Sequence, residues 1–276
     1  MKTNLLTGMV LSLALVTQVV FAENSTITSS LIQIDDTQYE VKQSDEKKLT
    51  VVFESGFGTD ANVWNGIAES LSDQFQTISY SRIGTGKTVS SKTALSIDEH
   101  VAELKKLTEH LDVDHPFILV GHSYGGLVAT RFARQFPKDL HALVLVEPSV
   151  LSQRVIFKKM DKERIQQDDQ MLEKYMPPHF IESYKTLKAE MDTAPYKVSP
   201  LPSNIPTLLM TSTQVSEKPF VFEETAKGKD AWLAIHKSLI APVSHQEHIL
   251  FNDAGHNIHL EQPEKMVHAI VNFVGN

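Results

Sequence analysis

The chain has 276 residues, 41% of them hydrophobic, which is ample for one large core. A formal net charge of −8 at pH 7, with basic residues scattered or merely paired as Lys47-Lys48 and Lys158-Lys159, argues against a nucleic-acid partner. Cysteine is absent, which excludes a disulfide framework, a thiol nucleophile and a lipid-bearing cysteine.

Lys2 precedes an apolar stretch from Leu5 to Phe21, and Val20-Phe21-Ala22 places small residues at the two positions that signal peptidase reads. Residues 1–22 are therefore expected to be a cleaved signal peptide, and the protein to be exported, periplasmic or secreted. Thr7, Ser12, Thr17 and Gln18 weaken the alternative of a retained anchor, so no stable membrane attachment is expected. Residues 23–276 read as a single domain. It starts with a hairpin, Leu31-Ile34 and Tyr39-Val41 around Asp35-Asp36-Thr37. Strands then alternate with helices, the pattern of a mostly parallel sheet covered on both faces. The expected buried strands are Thr50-Glu54, Thr77-Tyr80, Phe117-Val120, Ala142-Glu147, Thr207-Thr211 and Glu247-Asn252.

Ser96-Ile97-Asp98-Glu99 is a capping box, followed by Val101, Leu104, Leu107 and Leu111 at helical spacing. Pro263 opens a last helix with Met266, Val267, Ile270, Phe273 and Val274 on one stripe. Between Pro148 and Pro206 the rhythm breaks. This stretch is polar and helix-like, and Lys158-Met176 and His179-Asp192 are expected as helices separated by Pro177-Pro178. Such an excursion between strands is best read as a helical cap over the sheet, about residues 149–205. Its Phe157, Met160, Met171, Tyr175, Met176 and Phe180 offer a partly apolar roof, or simply pack the cap helices down.

Chemistry concentrates at Gly121-His122-Ser123-Tyr124-Gly125, which ends the apolar run Phe117-Val120 and opens the helix beginning Gly126-Leu127-Val128. A serine so placed sits on a tight strand-to-helix turn, with positive φ and room only for glycine two residues before and after it. The turn lifts its hydroxyl above the carboxyl ends of the strands, where open α/β sheets bind ligands.

These residues resemble the α/β-hydrolase family over nearly all of residues 23–276. Gly121-Gly126 is similar to its nucleophile elbow, Ala254-Glu264 to the loop carrying its histidine, and Tyr80-Gly86 to the turn after its fourth strand. The resemblance implies a mostly parallel eight-stranded sheet flanked by helices, with the cap between the sixth and seventh strands. It implies Ser123 as nucleophile and His256 as the base that takes its proton and returns it to the leaving group. His256 is preferred to His259 by its place after the last strand and by Gly255 before it; His122 reads as a support residue.

The third member departs from the family's usual pattern. No carboxylate follows the seventh strand where an aspartate is common, and Glu217 is the first to appear. Some branches of the family place the acid at the end of the sixth strand, where this chain has Glu147. Glu147 is accordingly expected to orient His256, with Glu217 in reserve. The oxyanion hole is expected from the backbone N–H groups of Tyr124 and Phe57, the latter in Ser55-Gly56-Phe57-Gly58, where Ser55 stands in place of the usual histidine.

This chemistry calls for no cofactor and no metal, and its partner is a small-molecule substrate. Gly84-Thr85-Gly86-Lys87-Thr88 imitates a phosphate-binding loop but has Ser81 where the first glycine belongs. His245 and His248, three apart on a strand, point to opposite faces and cannot share an ion. The expected activity is hydrolysis of a small or medium carboxylic ester. Lactones, amides, vinylogous carbon–carbon bonds, peroxide as acyl acceptor, or a ligand sensor on the same fold are the alternatives. Glu163, Asp168, Asp169 and Glu173 offer an ammonium site for an aminopeptidase, or a solvated helix face.

Overall fold

The computed structural model describes residues 27–275, so the expected signal peptide lies outside the described residues. Eight strands form one sheet: β1 (Thr28–Ile34), β2 (Thr37–Gln43), β3 (Thr50–Glu54), β4 (Gln76–Tyr80), β5 (Phe117–His122), β6 (Leu140–Val146), β7 (Thr207–Ser212) and β8 (Gln246–Phe251). Their order is β1-β2-β4-β3-β5-β6-β7-β8. β1 and β2 form an antiparallel hairpin and β2 joins β4 antiparallel, while every later pairing is parallel. The hairpin turn is shorter than expected: Thr37 belongs to β2, and Asp35 turns the chain at φ 50°.

Nine helices accompany the sheet among the described residues: α1 (Asn65–Leu71), α2 (Ile97–His110), α3 (Tyr124–Gln135), α4 (Gln153–Met160), α5 (Lys162–Tyr175), α6 (Ile181–Asp192), α7 (Ala226–Ile240), α8 (Ile258–Glu261) and α9 (Pro263–Gly275). The period of two along a strand divides the core between the two faces. Phe117 and Leu119 of β5 join a cluster with Leu104 of α2 and Val128 of α3. Ile118 and Val120, the alternate residues, join Leu71 of α1 and Ile270 of α9 on the opposite face. Both faces being covered, β3, β5 and β7 are buried throughout. That is why they read as unbroken apolar runs.

α4, α5 and α6 fill the excursion between β6 and β7. The sequence suggests one helix from Lys158 to Met176, but Asp161 leaves the helical conformation at φ −157°, ψ 82°, and its side chain accepts from Arg164 N, ending α4 and capping α5. Arg154 holds the insertion together, donating to Asp169 at 2.8 Å and to Asp192 at 2.9 Å. Of the expected roof residues, Phe157 does not line a roof: it is buried against Phe222 and Trp232, ring centroids 5.2 and 6.0 Å away. Phe180 does reach across, to the ring of Phe57 at 5.9 Å.

Candidate active site

Ser123 follows β5 directly and has φ 53°, ψ −119°. Its neighbours leave the backbone no alternative. A methyl group on Gly125 would stand 2.3 Å from the Glu54 carbonyl oxygen, and one on Gly121 would stand 2.7 Å from the Gly125 carbonyl oxygen. The Ser123 N–H donates to Val146 O at 3.1 Å, and the Ser149 N–H donates to Ser123 O at 2.8 Å. The turn is thereby tied to the end of β6. The same strand end carries Glu147, expected as the last strand residue but standing just past the end of β6 at Val146, also at positive φ (48°).

His256 comes from the loop between β8 and α8, anchored where the Gly255 N–H donates to Glu261 Oε2 at 2.8 Å. Its Nε2 lies 2.9 Å from Ser123 Oγ, and its Nδ1 lies 3.3 Å from Glu147 Oε2. A carboxylate only accepts, so Nδ1–H donates to Glu147 and leaves Nε2 free to accept from the serine. Loss of solvent disfavours the imidazolium, but the Glu147 hydrogen bond and charge outweigh it and hold the His256 pKa above the ordinary value of 6.5. Burial works against the Glu147 carboxylate too; the hydrogen bond and charge of His256, with the charge of Lys229, overcome it and depress its pKa. Glu217 lies exposed on the loop after β7. The structure brings Glu147, not the reserve acid, to the histidine.

A hydroxyl, an imidazole and a buried carboxylate converge at the carboxyl ends of parallel strands, beneath a glycine-packed elbow. The sequence profile of the alpha/beta hydrolase fold matches residues 50–191. The chain belongs to the α/β-hydrolase family. An uncharacterized relative, YqjL of Bacillus subtilis (strain 168), is 28% identical over 226 residues, which is 81% of this chain and 82% of its own. Two solved structures share the fold. A thermophilic esterase from Thermogutta terrifontis superposes with TM-score 0.61 at 18% identity, covering 91% of this chain and 98% of its own. Carboxylesterase CesB (YbfK) from Bacillus subtilis gives TM-score 0.61 at 15% identity, covering 91% and 93%.

Around this hydrolase site, the two expected oxyanion donors come from adjoining elements. Tyr124 opens α3, where the first amides of a helix have no acceptor within it. Phe57 lies on the loop after β3, its ring edge-on to that of Tyr124 at 6.0 Å. Phe57, Phe180 and Tyr184 form an aromatic group over this end of the sheet, with Tyr184 6.1 Å from Phe57. His122 supports the histidine loop: its Nε2–H donates to the His256 carbonyl at 3.0 Å. His259 is buried against Trp64 at 4.8 Å and His122 at 4.3 Å, away from the serine.

Several residues around Glu147 were not anticipated. Oε1 accepts from Ser212 N at 2.5 Å and from Trp232 Nε1 at 3.2 Å. Lys229 Nζ, almost fully buried, lies 3.7 Å from Oε2 and donates to Ser212 Oγ at 3.2 Å. Lys229, Trp232 and His236 lie on one face of α7, and a lysine and a histidine amid that helix's apolar stripe were the available signal. A cavity of about 360 Å³ adjoins them, lined by Glu147, Glu223, Lys229, Trp232 and His256 among others.

The remaining sequence candidates are otherwise engaged. Asp168, Asp169 and Glu173 pair with Arg164, Arg154 and Lys188 respectively, bracing the insertion rather than offering an open ammonium site. His245 packs its ring, tilted, against Phe273 at 5.0 Å, whereas His248 Nε2 meets Thr211 Oγ1 at 2.8 Å. Among the described residues no three His, Cys, Asp or Glu side chains are placed to share a metal ion. No helix among them is long and apolar enough to cross a membrane. In the loop that imitates a phosphate site, the Lys87 N–H donates to the buried carboxylate of Glu40 at 3.0 Å.

Proposed function

We propose that this hydrolase cleaves a carboxylic ester of a small or medium molecule through an acyl-enzyme on Ser123. One observation carries the reading: a single imidazole reaches Ser123 Oγ from one nitrogen and buried Glu147 from the other. Ser123 Oγ attacks the ester carbonyl carbon while His256 Nε2 takes its proton, and Glu147 holds the imidazole in the required tautomer. The tetrahedral oxyanion is received by the N–H groups of Phe57 and Tyr124. Collapse expels the alkoxide, which takes the proton from His256. Water, deprotonated by the same nitrogen, then attacks the acyl carbon and frees Ser123.

The aromatic group of Phe57, Phe180 and Tyr184 favours an apolar acyl or alkyl portion. Esterases among the structural relatives agree in fold with this choice. The test is labelling by a fluorophosphonate probe together with turnover of short-chain nitrophenyl esters, compared in wild type and Ser123→Ala. Labelling and turnover both lost in the variant are expected. Turnover that survives it, or tight ligand binding without turnover in the wild type, overturns the reading.

A further inference from the structure

We propose that Arg82 is the positioning residue of the oxyanion loop, its buried guanidinium fixing the Gly56–Phe57 peptide so that the Phe57 N–H faces the reacting oxygen. The assignment rests on the ester-cleaving reading above. It answers a question raised by the sequence, namely what holds Ser55-Gly56-Phe57-Gly58 in shape when serine occupies its first position.

Two main groups of contacts hold that loop, with Thr59 as a third donor. The first belongs to the Ser55 side chain, whose Oγ accepts from Trp64 Nε1 at 3.1 Å and donates to Asp60 O at 3.2 Å. The second belongs to Arg82, on the turn after β4, with a side chain only 5% exposed. Its Nη1 donates to Glu54 Oε1 and to Ser55 O, the latter at 2.5 Å, and its Nη2 donates to Gly56 O. Glu54 is itself fully buried, and its second oxygen accepts from the Tyr80 hydroxyl. Thr59 Oγ1 adds another donor to Gly56 O at 3.0 Å.

The consequence follows from peptide geometry. Gly56 C=O and Phe57 N–H belong to one planar trans unit and point in opposite directions. A rigid fork that pins the oxygen therefore aims the hydrogen away from itself. A cation on the oxygen also polarises the unit, strengthening the N–H as a donor. The same guanidinium lies over the Tyr124 ring, 5.1 Å from its centre, so it adjoins both sides of the hole: the Tyr124 side chain and, through Gly56 O, the peptide that carries the Phe57 N–H. A bridge serving stability alone would end at Glu54. This one continues onto two consecutive carbonyls of the loop, a match for a planar fork that the point charge of lysine cannot reproduce.

The experiment compares wild type, Arg82→Lys and the neutral pair Glu54→Gln/Arg82→Gln on an aryl ester and its thiono (C=S) analogue. The double variant avoids stranding one buried charge, so it keeps the test alive should Arg82→Lys fail to fold. Circular dichroism melts identify folded protein. Since misplacing one donor weakens binding of an oxyanion more than of a sulfur anion, kcat on the oxo ester should fall ~10–100-fold. KM should change little, and the oxo-to-thiono preference should shrink. A purely structural role lowers both substrates alike, leaving that preference intact. Folded variants with the wild-type ratio overturn the assignment. Ser123→Ala, run alongside, reports separately: turnover retained there defeats the serine reading itself, and the Arg82 role with it.

Discussion

Ser123 and Glu147 stand just past the ends of neighbouring parallel strands, both at positive φ, 53° and 48°. They are held there by opposite means. The serine turn is a steric object: flanking backbone leaves no room for a side chain at Gly121 or Gly125. The glutamate is an electrostatic object, its carboxylate gathered in by Ser212 N, Trp232 Nε1, His256 Nδ1 and Lys229 Nζ. A steric constraint is local in the chain and leaves a spacing behind. An electrostatic one is assembled from segments 65 to 109 residues away in the chain and leaves none.

Damage to the two sides should therefore look different. Glu147→Gln keeps the shape and can still accept from Ser212 N and Trp232 Nε1, but it no longer secures the imidazole tautomer. Turnover should fall by about 10³–10⁴-fold, with KM and the melt much less affected. Glu217→Gln, on an exposed loop, should leave rates near wild type. Steady-state kinetics on both variants decide the matter, and the reverse result moves the acid to the β7 loop. Gly125→Ala attacks the steric side. Its new methyl meets the Glu54 and Ser55 carbonyl oxygens at 2.3 and 2.4 Å, so the elbow must shift bodily. We expect a loss of about 3 kcal/mol or more in stability, read by denaturant unfolding, and ~10²-fold in turnover. An alanine variant with a wild-type unfolding midpoint would show that glycine is dispensable here.

The same contrast explains what could be read before the structure. Strands buried on both faces announced themselves, as did Ser123 and His256, each on a short motif with glycines at fixed offsets. Glu147 was legible as the acid ending an apolar strand, and the structure sets it beside the histidine. Lys229, Trp232 and Ser212 were not, because nothing near them in sequence mentions Glu147. Arg82 lies within the Tyr80-Gly86 motif, yet its partners Glu54, Ser55 and Gly56 lie at another strand end. In the insertion, polar helices gave no apolar stripe to mark their ends. The break at Asp161 therefore leaves no mark in the sequence, and of the two readings open for Phe157 the structure favours packing.

The smallest expected effect probes the electrostatic side most finely. His256 acts as a base only when neutral, so kcat/KM should decline as pH falls through its pKa, which the Glu147 interaction holds above 6.5. The charges facing the pair come from several elements. Glu223, from the turn before α7, supports the imidazolium, and Lys229, from α7 itself, opposes it. His236, on the same helix, has its pKa lowered by burial to about 4 and is neutral across this range. Lys229→Met therefore removes an opposing cation, and the His256 pKa should rise further. The acid limb of kcat/KM should move to higher pH by about half a unit to one unit. Activity near pH 6 then falls several-fold while the alkaline plateau stays close to wild type. Lys229→Arg, which keeps the charge, should leave the limb near its original place. A limb that moves to lower pH in the methionine variant would mean that Lys229 acts on the histidine by holding Glu147 in position rather than through its field.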